Sequence, residues 1–159
     1  MKILIQNGRV IDPASGLDQT CDIAIAAGRI VGVNRVQPDF APQRSIDATG
    51  CIVLPGLVDL AARLREPGYE HEGMLESEMA AAVAGGVTSL VCPPDTDPVL
   101  DEPGLVEMLK FRAEKLHLAR VFPLGALTRG LKGEELTEMA ELTESGCIGF
   151  GQAEVPIVN

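Results

Sequence analysis

Apolar and polar positions alternate in short bursts through the first fifty residues. Ile3-Leu4-Ile5 runs into Asn7-Gly8, a strong hairpin signal, and Arg9-Val10-Ile11 follows before a stop at Asp12-Pro13. Asp22-Ile23-Ala24-Ile25 repeats the pattern, turns at Ala27-Gly28 and resumes with Arg29-Ile30-Val31-Gly32-Val33. Gln37-Pro38-Asp39-Phe40-Ala41-Pro42 is a loop by composition, and Ile46-Asp47-Ala48-Thr49-Gly50 reads as a short strand and turn. No helical period appears before about residue 70.

Near residue 52 the pattern changes. Ile52-Val53-Leu54 and Leu57-Val58-Asp59-Leu60 form an apolar run suited to a buried strand, interrupted by Pro55-Gly56. The spacing predicts a helix over 74–84, with Met74, Leu75, Met79, Ala82 and Val83 on one face and Gly85-Gly86 as its stop. Val87-Thr88-Ser89-Leu90-Val91-Cys92 is uncharged and β-branched, hence a strand expected to be buried on both faces. A second helix starts at Glu102-Pro103, where proline is pre-set for a first turn, and packs Leu105, Val106, Leu109, Ala113 and Leu116. Arg120-Val121-Phe122-Pro123-Leu124 is a third core strand. A third helix is expected from Glu134 to Ser145, with Leu136, Met139, Ala140 and Leu142 inward, and Cys147-Ile148-Gly149-Phe150 opens a fourth strand. Four strands separated by single helices are consecutive βα units of a parallel sheet. The organisation is therefore a strand leader over 1–53 and βα units over 54–159.

Composition narrows the function classes. Thirteen Lys+Arg against 23 Asp+Glu leave a formal net charge of −10, which argues against nucleic acid or an anionic membrane as partner. Aromatic residues are 3% with no Trp, too few for a base-stacking platform. No apolar run reaches the roughly 18 residues of a membrane span, and the amino terminus turns too early for a signal-peptide core. Cys21, Cys51, Cys92 and Cys147 are widely spaced, which excludes a zinc ribbon and reads as four reduced thiols in a cytoplasmic protein.

Four segments, taken in order, resemble the type I dihydroorotase branch of the amidohydrolase superfamily. They are Asn7-Gly8-Arg9-Val10-Ile11-Asp12-Pro13 with Gly28-Arg29-Ile30; Leu54-Pro55-Gly56-Leu57-Val58-Asp59 with Arg65-Glu66-Pro67-Gly68; Ala84-Gly85-Gly86-Val87-Thr88-Ser89 with Cys92-Pro93-Pro94-Asp95-Thr96-Asp97-Pro98; and Ala126-Leu127-Thr128 with Lys132-Gly133-Glu134-Glu135-Leu136. The resemblance implies an α/β fold, the N-terminal part of a metal-dependent-hydrolase-type (β/α)8 TIM barrel preceded by a small β-sandwich leader. A whole barrel takes about 250 residues, so this chain is expected to be a fragment holding three to four βα units.

The sequence departs from that family where its chemistry resides. The resemblance implies Asp-x-His-x-His at the end of the first barrel strand, two imidazoles holding zinc that makes hydroxide available and polarises the ring amide. Here the run is Asp59-Leu60-Ala61-Ala62-Arg63, so Ala61 and Arg63 replace both ligands. At the fourth strand the family's Phe-Ser-Asp-Asp-Gly is Phe150-Gly151-Gln152-Ala153-Glu154, with Ala153 in place of a ligand carboxylate. Arg65 matches the family's substrate-carboxylate arginine, but its companion asparagine is Asp95, which repels an anionic substrate and is free to pair with Arg65 or Arg63. Arg65 and Asp95 are thus read as a vestigial substrate site, with a strand-end salt bridge from Arg65 to Asp95 or Glu66 as the simpler role. Asp59 reads as a strand-end hydrogen-bonding group. Lys132-Gly133-Glu134-Glu135 reads as a helix start, and His71 and His117 as ordinary loop residues.

The expectation is a non-catalytic dihydroorotase homologue of pyrimidine biosynthesis with no catalytic residue and no zinc. The resemblance implies an assembly subunit bound to the aspartate transcarbamoylase catalytic subunit, and a homo-oligomer. A working cyclic amidohydrolase with a displaced or metal-free site is the alternative.

Overall fold

The computed structural model describes residues 1–157. The chain divides into two compact units, one spanning Met1–Pro55 and the other starting at Gly56.

The first unit is a single five-stranded sheet. Strand β1 (Lys2–Asp12) is its spine, antiparallel to β2 (Leu17–Ala26), which in turn pairs with β3 (Arg29–Val33). On its other side, β1 pairs in parallel with β4 (Arg44–Asp47) through Ile3–Gln6 and with β5 (Ile52–Val53) through Arg9 and Val10. The hairpin expected at Asn7-Gly8 does not form. Both residues lie inside β1, where the register against β2 slips by one between Ile5↔Ile23 and Gly8↔Cys21. Asn7 takes a left-handed φ of 63°, its N–H donates to Asp22 Oδ1 (3.0 Å) and its side-chain amide donates to Asp47 Oδ1 (3.1 Å). These two carboxylates hold Asn7 as a bulge, not a turn. The bulge switches parity along β1, so odd-numbered Ile5 and even-numbered Val10 both pack on one small core with Leu17, Cys21, Ile23 and Ile25.

The second unit alternates strands and helices. Strands β6 (Leu57–Asp59), β7 (Val87–Cys92) and β8 (Arg120–Pro123) form a parallel sheet in that order, and β9 (Gly125–Ala126) continues from β8 to pair in parallel with β10 (Phe150–Gly151). Helix α1 (Leu75–Ala84) links β6 to β7, α2 (Pro103–Leu116) links β7 to β8, and α3 (Met139–Glu144) precedes β10. Helix α1 buries a narrower stripe than its sequence suggests. Leu75, Met79 and Ala82, at i, i+4 and i+7, face the core, while Met74 and Val83 flank it in solvent. Glu66 supports its start, since Glu66 Oε2 accepts from Leu75 N–H at 3.0 Å while Oε1 accepts from Arg112 at 2.7 Å. Only the second half of β7, Leu90 to Cys92, is buried on both faces.

The third helix starts five residues later than its sequence pattern suggests. Lys132 to Leu136 is not helical, and Leu136 is exposed. The backbone here is already engaged with the end of the third strand: Arg129 N–H donates to Glu135 O, Thr137 N–H to Leu127 O, and Thr137 Oγ1 to Ala126 O at 2.6 Å. Those bonds keep Glu135 and Thr137 out of the helix, and only Leu142 of the expected inward face is fully buried.

Candidate functional site

The carboxyl ends of parallel strands are where α/β folds gather chemistry. Four segments follow such ends here: Leu60–Arg63 after β6, Pro93–Asp97 after β7, Leu127–Thr128 after β9 and Gln152–Glu154 after β10. Each is positioned by its own local bonding. Asp59 Oδ1 accepts from Ala61 N–H at 2.9 Å, a strand-end turn, as its sequence context suggested. Ala62 N–H then donates to Val91 O at 2.9 Å, so the chain rejoins the sheet edge before Arg63, and Leu64 anchors it in the core. Asp95 sits between buried Pro94 and buried Thr96, whose Oγ1 donates to Pro98 O at 2.8 Å.

These anchors bring three charged groups together. Arg63 Nε donates to Asp95 Oδ2 at 2.7 Å, and Arg63 NH2 donates to Glu154 Oε1 at 3.0 Å. The hydrogen bond and charge of Asp95, followed by those of Glu154, raise the Arg63 pKa further above its ordinary value. The guanidinium therefore stays charged throughout the working pH range.

Arg65 behaves differently from the sequence expectation. It pairs with neither Asp95 nor Glu66. Its NH1 lies 3.1 Å from Glu72 Oε2, and Glu66 is taken by Arg112. A left-handed φ of 65° at Arg65 turns the chain between Leu64 and Glu66, and its N-terminal neighbour Arg63 already holds Asp95. A crevice between Arg63, Arg65, Tyr69, Cys92 and Asp95 has a volume of about 10 Å³, room for one water molecule. Both arginines are thus occupied by carboxylates of this chain.

At the fourth strand, Ala153 is exposed with a left-handed φ of 49°. Its neighbour Gln152 ties strand ends together, accepting from Thr128 Oγ1 at 2.9 Å and donating to Leu131 O at 2.9 Å. Sequence reasoning did not single out Gln152, Glu72 or Glu154 as partners. For Gln152 and Glu154 the signal available was their place on either side of Ala153; no such signal marks Glu72. His71 is an exposed loop residue beside Glu72, and His117 caps the end of α2 in a left-handed turn.

A family-type zinc site would need donors at positions 61, 63 and 153. Two methyl groups and a guanidinium offer no lone pair, so the residues present do not fit a zinc ion there. Among the described residues, no cluster of three or more His, Cys, Asp or Glu is arranged to hold a metal. Among them, too, no helix is long and apolar enough to cross a membrane.

Comparison with known proteins locates this arrangement. Among solved structures, L-hydantoinase (dihydropyrimidinase) from Arthrobacter aurescens superposes with a TM-score of 0.78 at 23% identity, over 93% of this chain and 32% of that one. A D-hydantoinase superposes with a TM-score of 0.62 at 21% identity, over 91% and 29%. At this identity the likeness establishes fold: the chain has the N-terminal part of an amidohydrolase-type TIM barrel with its strand leader. Among curated proteins, a dihydroorotase-like protein of Pseudomonas aeruginosa is 51% identical over 94% of this chain and 36% of its own length. A second from Pseudomonas putida is 48% identical over 100% and 38%, and a dihydroorotase of Pelobacter propionicus 46% identical over 100% and 38%. The chain thus spans a little over a third of the length of these relatives. Residues 50–159 match the family described as Dihydro-orotase-like, and with that match the chain belongs to the dihydroorotase-like family.

Proposed function

We propose that this chain is part of a non-catalytic dihydroorotase homologue, kept for its surfaces as an assembly subunit of the aspartate transcarbamoylase catalytic subunit in pyrimidine biosynthesis. One observation carries the loss of catalysis: at the end of the first barrel strand a guanidinium is fixed between Asp95 and Glu154. A permanent cation there repels a dication, and a catalytic zinc needs about three protein ligands besides its water. Without metal, hydroxide does not form near neutral pH and the amide carbonyl is not polarised. Asp95 faces the place of a substrate carboxylate, and Arg65, the remaining carboxylate-binding candidate, is held by Glu72.

The partner is what the family resemblance in the sequence implies. The test uses the full-length protein. Elemental analysis is expected to find no stoichiometric zinc, assays to find no interconversion of carbamoyl aspartate and dihydroorotate, and co-expression to yield a stable complex with the host's aspartate transcarbamoylase. Stoichiometric zinc with metal-dependent turnover of dihydroorotate would overturn the catalytic half. Failure to co-purify would overturn the partner.

A further inference from the structure

From the disagreement between the family's metal chemistry and these residues, we infer that Arg63 is a built-in organic cation that clamps the carboxyl ends of three strands, β6, β7 and β10, through Asp95 and Glu154. The inference rests on the non-catalytic reading above and adds a positive role to it.

Geometry supports the clamp in three ways. First, the guanidinium offers two separate edges. Its Nε bonds Asp95 at 2.7 Å and its NH2 bonds Glu154 at 3.0 Å, so one planar group serves two acceptors arriving from different strands. An ammonium, a single point on a flexible stem, has no such fork. Secondly, the partners are distant in sequence, 32 and 91 residues from Arg63, so each bond closes a long loop. Thirdly, two of the three groups sit on fixed backbone. Arg63 lies between the Ala62–Val91 hydrogen bond and buried Leu64, and Asp95 between buried Pro94 and Thr96.

Isolated exposed ion pairs contribute little, because holding two long side chains offsets their attraction. The Asp95 half is the more sheltered of the two, with side-chain exposures of 36% for Arg63 and 27% for Asp95, and the backbone that carries its carboxylate is held on both sides. The Glu154 half, at 85% exposure, is the weaker arm. Removing Arg63 also leaves two carboxylates facing each other, so the loss exceeds that of one hydrogen bond.

The test is a double-mutant cycle on the full-length protein, reading thermal midpoints of Arg63→Gln, Asp95→Asn and the pair, with and without EDTA. The expected result is a drop of about 1–2 °C for Arg63→Gln. The double variant should fall no further than that, and the difference should shrink in about 1 M NaCl, where the Debye length is about 3 Å. Arg63→Lys, the variant that keeps charge and folds most safely, should recover only part of the loss because it serves one acceptor at a time. EDTA should leave the unmodified protein unchanged. Additive losses with EDTA inert would sink the clamp and leave the non-catalytic reading standing. A midpoint that falls with EDTA would overturn that reading and the clamp with it.

Discussion

Cys92 ends β7 and lines the same crevice as Arg63 and Asp95, and only 1% of it is exposed. Burial pushes its thiol up from an ordinary 9.0 to about 11; a backbone hydrogen bond opposes the shift and the nearby Asp95 charge adds to it. The folded protein therefore holds this proton across a pH range where the unfolded chain has released it. Stability from this group is fully present below pH 9 and is lost as pH rises from 9 to about 11, at up to about 1.4 kcal/mol per pH unit. Urea midpoints measured from pH 8 to 11 should decline in the unmodified protein and decline less steeply in Cys92→Ala. That variant starts from a lower midpoint at pH 8 because it leaves a small cavity. Equal slopes in the two proteins would show that the thiol carries no such linkage. The same buried setting keeps Cys92 chemically inert, while exposed Cys51 is the thiol open to reagents.

Among the elements, β1 shows most clearly how a local signal yields to its surroundings. Asn-Gly is the preferred dipeptide of a tight hairpin, and by itself the sequence supports no other reading. What decides the outcome lies 15 and 40 residues away, in the carboxylates of Asp22 and Asp47 that bond Asn7 as a bulge. Gly8 is needed there for space. A Cβ on it would lie 2.6 Å from Val53 Cγ2 and 3.1 Å from Ala48 Cβ. Gly8→Ala should thus destabilise the leader sheet by about 1–3 kcal/mol, read as a lower urea midpoint, and Gly8→Ala with Val53→Ala should recover part of it. No loss in the single variant would mean that β5 moves aside freely. The same reasoning separates what was legible from what was not. Helices α1 and α2 were readable because their apolar spacing and Gly or Pro punctuation are local. The late start of α3 was not, because Thr137 and Glu135 are recruited by backbone of the third strand. At the site, Ala61, Arg63 and Ala153 were legible as the residues standing where the resemblance implies ligands. The choice of Glu72 for Arg65 depended on a left-handed turn that no composition announces.

At the scale of the whole chain, two forces compete in the 159-residue polypeptide. Parallel strands are normally covered on both faces, yet Leu57 and Val58 of β6 are 50% and 59% exposed, and Leu60 just beyond is 72% exposed. Ile148, leading into β10, and Ile30 and Val31 of β3 are likewise exposed. Contiguous apolar residues along strands with free backbone groups favour pairing with another chain. Against this stands a net charge of −10, which repels like copies over about 10 Å at 0.1 M salt. Apolar contact is short-ranged and little affected by screening, whereas repulsion fades as ions are added, so association should strengthen with salt. Sedimentation velocity of the 159-residue polypeptide should therefore show species larger than a monomer, increasing between about 0.05 and 0.5 M NaCl as the Debye length shortens. Replacing Val58 and Leu60 with Lys should raise the monomer fraction. A chain that stays monomeric at every salt concentration and binds no hydrophobic dye would show that these strands need no cover, which the burial of parallel sheets argues against.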